Sequence, residues 1–387
     1  MNFDEIRPYH DDELPVIYEG LIADPMFRQM ATLAFPAVPF DTLAQQMRAC
    51  RTKLAFQKAF CYPILKRIAR EHTDSLSLDR SASAAQEKAC LYISNHRDII
   101  LDSGFLDILL VDQEMDTVEI AIGDNLLIYP WIKKLVRINK SFIVQRNLPM
   151  RQMLESSVRL STYIRRTIAE ENRSIWIAQR EGRAKDSDDR TQESILKMLT
   201  MSGAGDTIDR LTELNIVPLS LSYEYDPCDF LKAKEFQQKR DILDFKKTPQ
   251  DDLTNMQTGL LGDKGHVFFR TTPCINNELA QIDRTLPKQE LFAAAAALID
   301  RHIHANYRLY PGNYAAHDAL TGTQRFACHY TADERTHFLA YIDSRIERID
   351  LPSKDVPFLR EQLLRMYANP LTNYLAATRS PEPLPVQ

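Results

Sequence analysis

Residues 89–112 read ACLYISNHRDIILDSGFLDILLVD. Leu91, Tyr92 and Ile93 form a short apolar run that stops at the polar residues Ser94 to Asp98. Such a run, bounded by turn signals, suits a buried strand. From Asp102 onward Phe105, Leu106, Ile108 and Leu109 return at helical spacing. The stretch therefore predicts strand, polar turn, helix. The same alternation recurs downstream. DTVEIAIGDNL (116–126), KSFIVQR (140–146), RSIWIAQREG (173–182), IVPLSLSYEY (216–225) and HVFFRTTPCI (266–275) read as strands. PWIKKLVRI, the segment from Asn147 to Asn172 and SILKMLTMSG read as helices between them. Strands alternating with helices predict an α/β fold: a mixed, mainly parallel sheet flanked by helices.

The flanks differ. Residues 40–72 place Leu43, Met47, Leu54, Phe60, Ile64 and Ile68 near helical spacing, with Pro63 expected to kink or break the helix. HTDSLSLDRSASAAQ (72–86) reads as a polar connection. Near the other end, Thr331 with Glu334 three residues on forms a capping box ahead of another helix. The expected organisation is a helical segment over 1–85, an α/β domain over 86–306 and a helical segment over 307–387. Within the α/β domain, residues 226–264 are charged and read as an irregular insertion.

The 387 residues carry a net charge of −5, so there is no global basic field and nucleic acid is not an expected partner. The six cysteines are far apart with no C-x-x-C pair, which suits free thiols in a reducing compartment. The N-terminal residues are acidic and lack the order of a signal peptide. No apolar stretch approaches the length of a spanning helix. The expected location is the cytoplasm, peripheral on the inner face of the membrane.

The string His96-Arg97-Asp98 invites comparison with a protein-kinase catalytic loop, but its companions are missing. The position five after Asp98 is Ser103 rather than Asn, residues 1–95 contain only Gly20, and the nearest string to Asp-Phe-Gly is Asp244-Phe245-Lys246. A second chemistry fits better. A neutral imidazole can take the proton of an attacking hydroxyl, and a carboxylate on the far side of the ring fixes its tautomer. His96 supplies the ring; Asp98 and Asp102 both offer the carboxylate. Asp98 has a second use, since a carboxylate ahead of a helix can accept from backbone N–H groups.

Taken in order, NHRDIILD (95–102), NKSFIVQR (139–146), REGRAKD (180–186) and IVPLSLSYE (216–224) resemble the four-block signature of the glycerolipid acyltransferase family. That family includes glycerol-3-phosphate and lysophosphatidate acyltransferases. The resemblance spans roughly residues 88–275 and implies a glycerol-3-phosphate acyltransferase-like core. It implies that His96 is the general base and that Arg146 helps hold the acceptor's phosphate. It further makes Glu181, Gly182 and Arg183 acceptor-side residues and places Pro218 on the acyl-donor side. The implied donor is an acyl thioester, acyl-CoA or acyl-carrier protein. The implied acceptor is a phosphorylated glycerol or lysolipid, with no metal and no cofactor beyond the donor. Two departures stand out. Five residues separate His96 from Asp102 where the family usually has four, and Arg183 follows Gly182 directly where one residue usually intervenes. Asp102 better fits the family's helix-start position, with Asp98 as the alternative.

Arg146 and Arg183 suit a phosphate, which an arginine binds through two parallel hydrogen bonds. Lys133, Lys134, Arg137, Lys140, Arg146 and Arg151 fall in a stretch with no acid. Interleaved with Tyr129, Trp131, Ile132 and Leu135, the first three fit either a helix on an anionic bilayer or an ordinary solvated helix face. His302, His304 and His317 read as surface residues rather than a ligand set, since i and i+2 do not share a helix face. Asp186, Asp188 and Asp189 read as a solvated loop. Two alternatives to the acyltransferase of phosphorylated acceptors stay open: a non-catalytic lipid-binding protein on the same fold, and an acyltransferase for an amine or another lipid acceptor.

Overall fold

The computed structural model describes residues 1–83, 88–146 and 148–378. The expected boundary at 85/86, Asn147 and the tail 379–387 lie outside the described residues. Seven strands form one sheet in the order β1-β7-β6-β2-β5-β3-β4. They are β1 (Ser75–Asp79), β2 (Leu91–Ser94), β3 (Glu119–Gly123), β4 (Ser141–Val144), β5 (Ile175–Ala178), β6 (Ile216–Tyr223) and β7 (His266–Thr271). All neighbours pair parallel except β6 with β7. The mixed, mainly parallel α/β sheet read from the sequence is the fold observed.

The central strands are apolar on both faces because helices cover both, as a parallel sheet requires. Leu91, Ile93, Ile175 and Ile177 point to one core, with Phe142, Leu160, Ile164 and the helix Lys288–Ala305. Tyr92, Trp176, Val217 and Leu219 point to the other, with Leu101, Phe105 and Leu106 of the helix Leu101–Asp112. The strand period of two thus sorts neighbouring residues into two separate cores.

Three expectations are corrected. The connection 72–86 contains strand β1, which pairs with β7 at the sheet margin. Ser75, Leu76, Ser77 and Leu78 alternate in the way of a half-exposed strand, but only Leu76 and Leu78 reach the core, so the apolar signal is weak. The insertion 226–264 is not irregular: it holds the helices Asp229–Asp241 and Pro249–Leu261. Their apolar faces are poor because polar side chains are buried too, among them Asp229, Lys232, Glu235 and Gln237. In the N-terminal region the helix breaks at Cys50–Thr52, not at Pro63. Pro63 lies within a helical run continuous over 53–72, directly after a π-helical turn at Gln57–Cys61, so the proline is met by a local change of helical winding and not by a break.

Two further cores flank the sheet. Phe230 and Ala233 of the insertion pack with Phe338, Ile342, Leu359, Leu363 and Tyr367 of the C-terminal helices. The buried Asp229 carboxylate joins these parts by accepting from Tyr341 and Tyr367 hydroxyls at 2.7 and 2.8 Å and pairing with Arg345. At the other margin Tyr18, Met47, Phe56 and Phe60 pack with Ile138.

Candidate active site

The first three sequence blocks end just past the C-terminal ends of parallel strands, where open α/β sheets place their ligand crevices. His96 lies two residues past the end of β2, Arg146 two past β4 and Glu181 three past β5. Strands β2 and β5 are direct neighbours, with Ser94 level with Ala178.

The turn after β2 is held by side chains standing in for backbone. Asn95 extends the ladder onto β6 through both atoms of its amide. Asp98 Oδ1 accepts from the N–H groups of Ile100 and Leu101 at 2.9 and 2.8 Å and so caps the entrance to the helix Leu101–Asp112. Asp102, fully buried in the first turn of that helix, sends Oδ2 back to His96 Nδ1 at 2.8 Å and to the Arg97 N–H at 2.7 Å. Of the two acids left open by the sequence, Asp102 therefore meets the ring and Asp98 serves the helix. With Nδ1 committed, Nε2 is the nitrogen left for chemistry. Trp176 packs edge-on to the ring, centroids 6.0 Å apart, and its indole N–H donates to Ser94 Oγ at 3.0 Å.

The five-residue spacing has a physical accommodation. Arg97 turns inward and pairs with Asp189 at 2.7 Å. Asp189 also accepts from the Tyr307 hydroxyl at 2.7 Å, and its backbone carbonyl takes His304 Nε2 at 2.7 Å. Asp189 is thus buried, not part of a solvated loop, and His304 is a buried ligand of that loop rather than a surface residue. Burial lowers the tendency of His304 to protonate, against the pull of Asp189.

The second and third blocks are only partly joined. Arg146 Nη1, partly buried, pairs with Oε1 of the exposed Glu181 at 3.0 Å, and the Arg146 N–H donates to Asp124 Oδ1 at 3.2 Å. Gly182 follows at φ +68°, a left-handed conformation that other residues adopt only with strain. It swings Arg183 away from that pair: Arg183 Nη2 donates to Asn255 Oδ1 of the insertion at 2.8 Å. Its Nη1 is buried without a protein partner. Pro218 lies inside the sheet, level with Ile93, and its carbonyl accepts from the Thr272 N–H at 3.0 Å. Lys185 pairs with the nearly buried Glu235 of the insertion.

The basic run is also sorted by the structure. Arg137 is buried, donating to the carbonyls of Arg7 and Asp4, and Lys140 pairs with Asp116. Lys140 is buried as well.

Several residues that shape the site carried no clear sequence signal. Gly123 ends β3 beneath Arg146; a Cβ there would fall 2.8 Å from Arg146 Nε. Gly259 lies inside a helix, where glycine is unfavourable unless something approaches closely. A Cβ at Gly259 would fall 2.0 Å from Asp98 Oδ2, so the insertion helix rests on the Asp98 carboxylate. Burial and the nearby Asp102 push the Asp98 carboxyl up, against the backbone N–H groups and Arg183. Among the described residues, Asp74, Glu224 and His266 bring one possible metal-ligand atom each within 4.8 Å of one another. They stand at the margin of the sheet formed by β1, β7 and the end of β6, and no step proposed below uses them.

Residues 75–222 match the model of the Acyltransferase family. No curated protein matches the chain. Among solved structures it is similar to the 1-acyl-sn-glycerophosphate (LPA) acyltransferase PlsC from Thermotoga maritima. That likeness has 10% identity and a TM-score of 0.34, covering 76% of this chain and 97% of that one.

Proposed function

We propose that the acyltransferase domain matched over residues 75–222 moves a fatty acyl group from a thioester, acyl-CoA or acyl-carrier protein, to a hydroxyl of glycerol-3-phosphate or lysophosphatidate. The observation that carries this reading is the 2.8 Å bond between His96 Nδ1 and the buried Asp102 at the carboxyl end of the sheet.

In this reading His96 Nε2 takes the acceptor's hydroxyl proton as the oxygen attacks the thioester carbonyl carbon. Asp102 holds the ring and offsets the charge of the imidazolium. The tetrahedral intermediate collapses with cleavage of the C–S bond. The imidazolium proton passes to the leaving thiolate, so the products are an ester and a free thiol. The thioester is already activated, and no covalent enzyme intermediate is needed. Arg146, one-third exposed, binds the acceptor phosphate in exchange for its pair with Glu181. Arg183 supports the site from within, through Asn255, rather than by reaching the acceptor beside Arg146.

A lysolipid acceptor has to be met at a lipid surface. No helix among the described residues is long and apolar enough to cross a membrane. Met26, Met30 and Leu33, Ile128 and Tyr129, and Met150, Met153 and Leu154 are exposed apolar side chains. The last two groups lie on the chain segments that lead to and from Gly123 and Arg146, which supports peripheral docking with the acceptor side toward lipid.

The test is an acyl-CoA assay with detection of free thiol across glycerol-3-phosphate, lysophosphatidate, other lysolipids and amines, followed by mass spectrometry of the product. Acceptor-dependent thiol release that falls by about 10²-fold or more in His96→Ala is the expected result. Full activity in His96→Ala defeats the mechanism. Release with no acceptor at all leaves a thioesterase, and no release leaves a lipid-binding protein.

A further inference from the structure

Asp102 spends only one of its two oxygens on the contacts described above. Oδ2 serves both His96 and the Arg97 N–H, while Oδ1 is fully buried with no protein hydrogen-bond partner. A second buried orphan stands near it. The Tyr223 hydroxyl also lacks a partner, although buried phenols normally have one.

The topology puts the two residues on the same side of the sheet, with the Asp102 charge acting on Tyr223. Asn95, directly before His96, bonds the main chain of Leu221 on β6. Tyr223 lies two residues further along β6, so it points to the same face as Leu221, four residues past the level at which β2 ends. That face is the one covered by the helix Leu101–Asp112, which carries Asp102. The Tyr223 ring is held against Phe269, centroids 6.3 Å apart, and lines one small cavity together with Arg97.

We propose that the Tyr223 hydroxyl donates to Asp102 Oδ1 and thereby sets how strongly Asp102 attracts the Nδ1–H of His96. The proposal rests on the assignment of His96 as general base. Tyr223 is a positioning residue in it, two bonds removed from the substrate. The phenol stays a donor throughout the working pH range, because burial and the neighbouring Asp102 and Asp98 hold it well above the ordinary tyrosine range. Asp226 adds to the negative field at Tyr223. Arg183 acts on Asp98, and Arg97 is paired with Asp189. Among the described residues, no other side chain bonds Oδ1.

The chemistry gives a sign. A hydrogen bond to a carboxylate withdraws charge and weakens its grip on a second donor. Removing it in Tyr223→Phe leaves Asp102 more basic and the imidazolium better stabilised. The titration midpoint of His96 then moves up by about half a unit to one unit, the scale of one hydrogen bond. The acidic limb of the kcat profile moves with it, and KM for donor and acceptor stays unchanged.

The experiment titrates ¹³C/¹⁵N-histidine-labelled protein by NMR, with His96 assigned through His96→Gln, in wild type, Tyr223→Phe, Asp102→Asn and the double variant. The upward shift in Tyr223→Phe, absent when Asp102 is already Asn, is the expected pattern. An unchanged His96 midpoint overturns the proposal, as does an equal shift in the Asp102→Asn background. Because the readout is a titration of the free protein, it stands apart from turnover. If no acyl transfer is found, the function fails while the Tyr223 bond is still decided.

Discussion

Asn95 and Leu221 hold each other by two hydrogen bonds: Asn95 Nδ2 donates to the Leu221 carbonyl at 2.9 Å, and the Leu221 N–H donates to Asn95 Oδ1 at 2.8 Å. The side-chain amide imitates one more residue of strand at the point where β2 has ended. It frees the backbone to turn while keeping the turn registered to the sheet, and His96 is the next residue. Asn95→Ala removes both bonds and leaves two buried backbone groups unpaired, at a cost of roughly 2–4 kcal/mol. Urea denaturation should show that loss. The folded fraction should also turn over more slowly, with a lower kcat at unchanged KM.

The two acids after His96 separate by role. Asp102→Asn keeps the shape but forfeits the charge facing the ring, and kcat should fall by about 10³-fold or more. Asp98→Asn keeps an oxygen for the Ile100 and Leu101 N–H groups, so activity should stay within about tenfold of wild type and the main effect should be a change in stability of about 1 kcal/mol. The reverse order of activities would move the orienting role to Asp98.

Gly123 sits under the Arg146 guanidinium. In Gly123→Ala the new methyl would fall 2.5 Å from Asn125 Oδ1 and 2.8 Å from Arg146 Nε. Both neighbours are side chains that can move, so the fold survives and Arg146 is displaced. The expected outcome is a KM for a phosphorylated acceptor raised by about tenfold, the value of one charge-assisted contact, with donor KM unchanged. Equal KM values for the two proteins would remove Arg146 from the phosphate site.

Asp107 predicts a pH effect away from the chemistry. Its carboxyl is buried in the helix Leu101–Asp112, accepting from the Val118 N–H at 3.1 Å and facing Gln57 Nε2 at 3.3 Å. Burial pushes it up to about 8, against the Val118 N–H and Lys140. The folded protein therefore holds a proton that the unfolded chain has released above pH 4, and stability falls as pH rises from about 4 through about 8. Asp107→Asn removes this proton linkage. Denaturation midpoints at pH 5 and pH 8 should converge in the variant relative to wild type; a slope equal to that of wild type would assign the effect elsewhere.

What was legible in the sequence was local. The run Leu91 to Ile93, its polar stop and the helical spacing after Asp102 belong to a few consecutive residues, and period two or period 3.6 is enough to name strand and helix. The order of four such blocks, through the resemblance they carry, singles out His96, Arg146 and Glu181, which the fold places just past the ends of β2, β4 and β5. β1 was missed because a half-exposed strand at the sheet margin has only two core residues, Leu76 and Leu78, to announce it. The insertion helices carry a weak apolar signal because they bury charge: Asp229 is paired with Arg345 and Glu235 with Lys185, partners that no window along the chain contains, while Lys232 is paired with Asp226 just ahead of the helix.

By itself the sequence determined the alternation of strands and helices and the presence of a histidine with two candidate carboxylates, since these follow from side-chain type and short spacing. Only the tertiary structure decided which carboxylate faces the ring. The choice depends on the turn that Asn95 ties to Leu221, on Asp98 being consumed by backbone N–H groups and on Arg97 being drawn inward to Asp189. Those contacts join residues up to 126 positions apart, and a hydrogen bond's geometry is set by where the chain returns rather than by what stands beside it.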